Sequence, residues 1–277
     1  MVVGCIVIAT LFISMSAIAL IKKRDSVYDN KPNEKNPMEN KRVAFAECSE
    51  DEENADGIRG HLEVIGISDF RRSFYDRVIK RGMDIVLSFI GLILLSPLFL
   101  IIGLWIYKDD PGNVLFIQKR VGKNKRYFKL HKFRSMKMST PHDKPTHMLE
   151  NPEQYMTKAG KFIRDHSLDE LPQIWDIFIG NMSIIGPRSA LWNQDFLTAE
   201  RDKYNANEVR PGLTGWAQIN GRDRVSIPEK AKLDGVYVEK LSFCMDIKCF
   251  IRSLGVFGGD NDIVDHKDGL PEKNKEK

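Results

Sequence analysis

The chain is poor in cysteine, with four among 277 residues and no CxxC pair. Such a set gives neither a disulfide framework nor the paired ligands of a zinc site, and free thiols are typical of a reducing compartment. Net charge is also small, at +4, so no overall field favours nucleic acid as a partner. The length fits one catalytic domain with additions, at roughly 150 residues per domain.

The first apolar run, residues 2–21, contains no charged side chain, and nothing basic precedes it. About 20 apolar residues cross a hydrocarbon layer as a helix, whereas a secretory signal normally begins with a basic segment. We therefore predict a retained transmembrane anchor over residues 1–24. Lys22, Lys23 and Arg24 follow the run. Positive charge stays on the cytoplasmic side, so the rest of the chain is predicted to lie inside.

The segment after the anchor, residues 25–70, is polar and includes the acidic run "ECSEDEENAD". It carries too little apolar surface to offset the entropy of ordering. We predict a disordered linker here. The polar segment 258–277 is predicted to be a frayed tail.

A second apolar stretch, residues 83–107, is also long enough to span a membrane and carries Ser96 and Pro97 near its centre. Proline lacks the backbone donor and clashes with the carbonyl four residues before it, so we expect a kink or a break there. Both flanks are basic, which disfavours moving one of them across the membrane. Two alternatives stay open for the membrane region 71–108: a kinked helix that spans, and a helix that bends at Ser96 and Pro97 and re-enters.

Residues 114–137 hold nine basic side chains and no acid, in two short apolar and aromatic runs around the turn 122–125. The pattern predicts a β-hairpin. Its charge suits anionic lipid or a phosphate-bearing substrate, and nucleic acid is disfavoured because the adjoining membrane segments already account for a basic surface. Helical spacing farther along predicts a small, mostly helical domain over residues 109–257, with a final helix from about 228 to 254.

Two acids, Asp169 and Glu170, stand side by side in "HSLDELPQIW" ahead of an apolar helical run. Ser167 and Glu170 have the spacing of a capping box, which would explain the acids without any reaction. That register places Pro172 inside the helix, where proline is disfavoured. A helix that starts at Pro172 instead leaves both acids on a preceding turn. Both alternatives fit the local sequence.

Arginines accompany turns rich in glycine and proline. Arg188 lies in "IIGPRS", Arg210 and Arg222 lie in "RPGLTGWAQINGR", and Arg164 precedes the acid pair. A guanidinium group can donate two parallel hydrogen bonds to the oxygens of one phosphate, and glycine lets the backbone approach those oxygens. Adjacent carboxylates beside phosphate can hold Mg²⁺, and one of them can attack phosphorus. These residues predict a diphosphate-binding site.

The motifs form an ordered series: "KRGMDI", "FIQKRVG", "HKFRSM", "SLDELPQIW", "NMSIIGPRS" and "RPGLTGWAQINGR". Over residues 78–255 this series resembles the bacterial sugar transferases, which are monotopic polyprenyl-phosphate phosphoglycosyl transferases. The resemblance implies transfer of a sugar-1-phosphate from a UDP-sugar to polyprenyl (undecaprenyl) phosphate, with Mg²⁺ and release of UMP. It places this reaction at the start of cell-surface polysaccharide or glycoconjugate synthesis.

Residue roles also follow from the resemblance. It implies that Asp169 is the nucleophile of a phosphosugar-aspartyl intermediate, that Glu170 assists it, and that both acids bind the metal. It implies that the membrane helix re-enters at Ser96 and Pro97. The arginines implied in phosphate and nucleotide binding are Arg164, Arg188, Arg210 and Arg222. Ser189 stands where the family usually has a second proline, which predicts a looser turn.

The expected architecture is therefore α+β: an N-terminal membrane anchor, a disordered tether, a re-entrant membrane helix and a small, mostly helical catalytic domain with a short β-hairpin. The expected location is the bacterial inner membrane, with the catalytic domain in the cytoplasm. Two alternatives remain: a direct one-step transferase whose acid pair only binds metal, and a non-catalytic, membrane-anchored partner or regulator in polysaccharide assembly. The sequence names neither the sugar nor the oligomeric state, and a homo-oligomer is compatible with it.

Overall fold

The computed structural model describes residues 34–140, 152–221 and 225–256. The helices are α1 Lys80–Asp109, α2 Lys158–Asp165, α3 Gln173–Ile179, α4 Asp195–Asp202, α5 Trp216–Ile219, α6 Ile227–Glu239 and α7 Phe243–Val256. The strands are β1 Lys41–Glu47, β2 Gly60–Ile67, β3 Leu115–Val121, β4 Tyr127–Phe133, β5 Ser183–Ile185, β6 Ala190–Leu191 and β7 Gly212–Thr214. This mixture of helices and strands confirms the predicted mixed class. The predicted anchor and tail lie outside the described residues.

The described residues divide into two units. The first contains Glu34, Ile79–Lys119 and the described part of Phe128–Met182. The second contains Lys35–Val78, Arg120–Tyr127 and the described residues from Ser183 onward. Each unit has a hydrophobic core of its own.

α1 is the long apolar helix of the first unit. Together with the π-helical turn Tyr75–Ile79 it forms a 35-residue helix, Tyr75–Asp109, which is long and apolar enough to cross a membrane. Many of its large side chains are exposed, among them Leu94 at 71% and Ile101 at 62%. Exposed leucine and isoleucine at such density are unfavourable in water and suit a lipid environment.

The predicted break at Ser96 and Pro97 is not present, because α1 continues from Lys80 to Asp109 with Pro97 inside it. Proline at position 97 cannot donate to the carbonyl of Ile93, four residues earlier. The Ser96 hydroxyl donates to that carbonyl instead, at 2.8 Å. A local side-chain donor thus satisfies the acceptor that proline leaves, as happens in membrane helices.

The core of the first unit joins α1 to β4 and α2. Its buried side chains are Ile102 and Ile106 of α1, Phe133 of β4, and Ala159 and Ile163 of α2. Burying such side chains contributes about 1.5–3 kcal/mol for each large aliphatic or aromatic group. The α2 helix is therefore fixed on α1.

α3 is fixed on the same helix by polar contacts. Arg81 of α1 donates to the carbonyls of Ile177 and Phe178, at 2.7 Å each. A guanidinium at a helix C-terminus pairs with carbonyls that have no partner within the helix. α3 ends at Gly180, whose φ of +94° favours glycine. The helices on both sides of the turn between α2 and α3 are therefore fixed on α1, α2 by apolar packing and α3 by the Arg81 hydrogen bonds.

A β-hairpin occupies part of the predicted disordered linker, which corrects that prediction for residues 34–67. β1 and β2 pair in antiparallel fashion. Val43 is 2% exposed, and its N–H donates to Asp202 Oδ2 of α4 at 2.7 Å. Phe45 packs edge-on against Phe196, with ring centroids 5.3 Å apart. Val43 and Phe45 thus contact partners more than 150 positions away in the chain, which composition alone does not reveal.

Two further predictions concern the catalytic domain. The hairpin predicted around residues 122–125 is confirmed by β3 and β4, with a 3-10 turn Lys123–Lys125 between them. The single final helix is wrong. α6 and α7 are separate, and both supply side chains, including Tyr237 and Met245, to the core of the second unit.

The acids beside the β1–β2 hairpin make the second unit sensitive to pH. Burial, followed by the nearby charge of Asp56, raises the pKa of Asp195 to about 6. A carboxyl group with a raised pKa stabilises the folded state most at low pH, and this contribution is lost as the pH rises through about 6.

Asp195→Asn is therefore expected to raise the free energy of unfolding near pH 7.5 by about 1 kcal/mol, after a discount for solvent screening. The gain should vanish below about pH 3, where the carboxyl is protonated in both the folded and the unfolded state. Thermal unfolding across this range checks the effect, and Glu47→Gln, an exposed acid on β1, is the control. An equal gain at both ends of the range would contradict the titration.

Candidate active site

The acid pair lies on a 3-10 turn, Leu168–Glu170, between α2 and α3. The capping box is not formed, because Ser167 adopts a left-handed conformation with φ of +55° and its side chain caps nothing. α3 begins at Gln173, directly after Pro172. The structure therefore confirms the alternative in which both acids precede the helix. A left-handed serine costs about 1 kcal/mol, and here it turns the chain from α2 into the acid pair.

Lys132 of β4 approaches both acids. Its Nζ lies 2.9 Å from Glu170 Oε1 and 3.9 Å from Asp169 Oδ2. The side chains of Lys132, Asp169 and Glu170 are 17%, 13% and 17% exposed. A partly desolvated ammonium reduces the repulsion between two adjacent carboxylates and between them and an anionic substrate. In the sequence Lys132 is one of nine basic residues between positions 114 and 137, and nothing local predicts its contact with the acids.

A histidine–aspartate pair fixes β4 beside α3. Asp176 is fully buried, and it accepts the His131 backbone N–H at 2.9 Å and contacts His131 Nδ1 at 2.8 Å. Burial raises the pKa of the Asp176 carboxyl, and its hydrogen bonds with His131 oppose that rise. Lys132 directly follows His131, so the contact between His131 and Asp176 also fixes the backbone position of Lys132. Neither His131 nor Asp176 was foreseen, and only their place in "HKFRSM" and after "LPQIW" could have suggested them.

Arg164 lies in the same unit as the acid pair, on the last turn of α2. Its carbonyl accepts the N–H of Ser167 at 3.0 Å, which begins the turn into the acids. Within the described part of the chain, no hydrogen bond or ion pair of its side chain is present. Its guanidinium is thus available for an anion.

Two of the predicted arginine turns adjoin each other in the second unit. β5 and β7 pair in parallel, which places Gly-Pro-Arg188 next to Arg210-Pro-Gly. The Gly212 N–H donates to the Pro187 carbonyl at 2.8 Å. A Cβ on Gly215 would lie 2.0 Å from the Gly186 carbonyl oxygen, so glycine is required there. Arg222 lies outside the described residues.

The acid pair has the chemistry of a partial Mg²⁺ site. Among residues 34–140, 152–221 and 225–256, no group of three or more His, Cys, Asp or Glu side chains is placed to hold a metal ion. Mg²⁺ binds readily through one or two carboxylates when water and substrate phosphates complete its shell. Asp169 and Glu170 therefore fit a metal that arrives with a phosphate ligand.

Several known bacterial proteins are similar in sequence to this chain. The chain is 38% identical over 205 residues to the UDP-glucose:undecaprenyl-phosphate glucose-1-phosphate transferase of Escherichia coli (strain K12), which covers 72% of this chain and 44% of that protein. It is 36% identical over 182 residues to the UDP-N-acetylgalactosamine-undecaprenyl-phosphate N-acetylgalactosaminephosphotransferase of Aeromonas hydrophila, covering 64% and 43%. It is 37% identical over 173 residues to the "Uncharacterized sugar transferase EpsL" of Bacillus subtilis (strain 168), covering 62% of this chain and 83% of that protein.

The matched region is only part of two of these relatives. The chain spans less than half the length of the Escherichia coli and Aeromonas relatives. Their names also differ in the sugar. The family described as "Bacterial sugar transferase" matches residues 75–259, more than half of the chain and all of the acid-pair region, and leaves the β1–β2 hairpin outside. On this match, the chain belongs to the bacterial sugar transferase family.

Proposed function

We propose that this protein transfers a sugar-1-phosphate from a UDP-sugar to polyprenyl phosphate and releases UMP. The names of the Escherichia coli and Aeromonas relatives support the reaction class. The observation that carries the proposal is the acid pair on one turn with the Lys132 ammonium within 4 Å of both carboxylates, at 2.9 Å from Glu170 and 3.9 Å from Asp169. A nucleophile beside a partner acid and a fixed cation is suited to phosphoryl chemistry.

In the first step, a carboxylate oxygen of Asp169 attacks the β-phosphorus of the UDP-sugar. The bond from that phosphorus to the bridging oxygen breaks, and its electron pair leaves with UMP. The product on the enzyme is a phosphosugar-aspartyl anhydride. Lys132 lowers the negative charge that the diphosphate meets as it approaches Asp169 and Glu170.

In the second step, a phosphate oxygen of polyprenyl phosphate attacks the phosphorus of the aspartyl intermediate. The bond to Asp169 breaks, its electron pair returns to the carboxylate, and polyprenyl-diphosphate-sugar forms. Glu170 receives the proton of the incoming phosphate when that group is singly protonated. Two displacements replace one difficult step, which is the advantage of covalent catalysis.

Phosphate binding is proposed for the metal and the arginines. Mg²⁺ held by Asp169 and Glu170 would neutralise part of the diphosphate charge. Arg164 is proposed to hold phosphate oxygens beside the acid pair. Arg188 and Arg210, on their adjoining turns, are proposed to bind the nucleotide phosphates, and Arg222 is assigned to the same role by family resemblance alone.

The reaction is tested by UMP release from a panel of UDP-sugars, with detergent-solubilised protein and polyprenyl phosphate. We expect release with at least one sugar and parallel double-reciprocal plots, as a two-step mechanism requires. Intersecting plots would favour direct transfer in one step. Absence of UMP with every sugar would contradict the function itself.

We propose that α1, which is continuous through Pro97, bends there to re-enter the inner membrane and holds the catalytic domain in the cytoplasm. Its two ends should then lie on one side, so Arg77→Cys and Tyr107→Cys should both react with an impermeant maleimide in inverted vesicles and neither in spheroplasts. The other cysteines are replaced by serine. A variant that keeps Cys244 alone, exposed on α7, reports the side of the catalytic domain. Labelling of positions 77 and 107 from opposite sides would contradict re-entry.

A further inference from the structure

Two other arginines of the second unit donate hydrogen bonds to the backbone of the turn that contains Arg188 and Ser189. Arg201 Nη1 donates to the carbonyl of Arg188 at 2.7 Å. Arg120 Nη1 donates to the next carbonyl, that of Ser189, at 2.9 Å. Two successive carbonyls of one turn are thus fixed by guanidinium groups. Serine cannot restrict its own φ as proline does, so these contacts supply a restraint that the sequence at position 189 does not.

Arg201 is itself fixed by Asp234 of α6. Its Nε and Nη2 lie 2.9 Å and 2.7 Å from the same oxygen, Asp234 Oδ2. The two side chains are 4% and 0% exposed. The guanidinium therefore contacts Asp234 and the Arg188 carbonyl at once, which a lysine ammonium on a flexible stem could not reproduce in the same plane.

Stability does not explain this pair. A buried ion pair often contributes no more than apolar side chains of similar volume. Here the second carboxylate oxygen, Asp234 Oδ1, is buried and has no hydrogen-bond partner among the described residues, which adds a desolvation cost. A costly contact that ends on the backbone of a proposed phosphate-binding residue is consistent with a role in placing that residue.

We propose that Asp234 and Arg201 are positioning residues for Arg188. Asp234 orients the Arg201 guanidinium, and Arg201 fixes the Arg188 carbonyl, so that the Arg188 side chain is presented for a nucleotide phosphate before the substrate binds. The inference rests on the proposed function for the role of Arg188. The contacts that carry it are independent of that function.

The test is a double-mutant cycle in the full chain, measured as UMP release with varied UDP-sugar. Asp234→Asn keeps the side-chain shape and removes the charge, and it should raise KM for the UDP-sugar about tenfold with kcat within about twofold. Arg201→Lys should give the same change. In an Arg188→Ala background, Asp234→Asn should change KM by less than about twofold, because its effect passes through Arg188.

The matched control is Glu208→Gln. Glu208 is one of two acids on the buried Lys125 ammonium, 3.2 Å from Nζ, in the same unit. Its replacement disturbs a buried ion pair that includes neither Arg201 nor Asp234, and it should leave KM unchanged. Effects of Asp234→Asn and Arg188→Ala that multiply would overturn the inference, as would a loss of kcat with KM unchanged.

A second readout separates this inference from the proposed function. Hydrogen exchange of the peptide covering residues 186–191, without substrate, should be faster in Asp234→Asn than in wild type or Glu208→Gln. Equal exchange would overturn the positioning role. If wild-type protein releases no UMP but hydrogen exchange of residues 186–191 is faster in Asp234→Asn, the proposed function is wrong. The positioning of Arg188 by Asp234 and Arg201 is then still supported.

Discussion

Asp169→Asn is expected to lower kcat for UMP release by at least about a thousandfold. The asparagine amide has almost the size of the carboxylate, so the turn Leu168–Glu170 should keep its shape. The amide oxygen is a poor nucleophile, and the covalent route through position 169 is closed. Steady-state UMP release, with substrate binding measured separately, distinguishes lost chemistry from lost affinity.

The control for this loss is Asp165→Asn. Asp165 ends α2, four residues before Asp169, and is a half-exposed acid of the same segment. Its replacement should leave kcat within about threefold of wild type. A kcat in Asp169→Asn within tenfold of wild type would show that position 169 does not supply the nucleophile.

Lys132→Met is expected to lower kcat about a hundredfold, the usual cost of removing one preorganised charge from a reacting site. The methionine keeps most of the apolar stem but removes the ammonium that lies 2.9 Å from Glu170 and 3.9 Å from Asp169. The like charges then oppose the attack that Asp169 must make. The measurement is kcat and KM for UMP release at saturating Mg²⁺.

Lys129→Met provides the comparison for Lys132→Met. Lys129 is on the same strand, three residues away, and the acid-pair contacts described above do not include it. The strand should tolerate either methionine, so only the Lys132 variant should lose activity. Equal losses in the two variants would mean that the general charge of the strand, rather than the contact with the acid pair, is what matters.

The observed position of the acid pair was one of the two alternatives that the local sequence offered. Pro172 is disfavoured in a helix interior, which weighs against the register of the capping box and favours a helix that begins beside it. The hairpin around residues 122–125 is local for the same reason, since turn residues stand between two short apolar runs. In both cases the deciding residues lie within about ten positions of each other.

The contacts that were missed join residues far apart in the chain. Asp176 lies 45 positions from His131, and Glu170 lies 38 positions from Lys132. Val43 finds its partner in Asp202, which turns a segment of disordered composition into a packed hairpin. Composition and periodicity describe what a segment could do alone, and these residues act through partners that only the fold supplies.

A kink or a break was expected in α1, and the helix does not break there, for a different reason. Ser96 and Pro97 are adjacent in the sequence, and they have opposite effects on whether the helix continues. Pro97 removes a donor, and the neighbouring Ser96 replaces it by bonding the carbonyl of Ile93. A hydroxyl bond to a helix carbonyl is a common local alternative to the backbone bond. It allows the helix to continue where proline alone would favour its end.

The most direct measurement of the central claim is capture of the covalent intermediate. Protein is incubated with a UDP-sugar labelled in the β-phosphate, without polyprenyl phosphate, and then denatured and digested. We expect label on the peptide that carries Asp169, its release when polyprenyl phosphate is added before denaturation, and none on Asp169→Asn. Label retained on the Asp169→Asn protein would contradict the account, because another group would then have taken the phosphosugar.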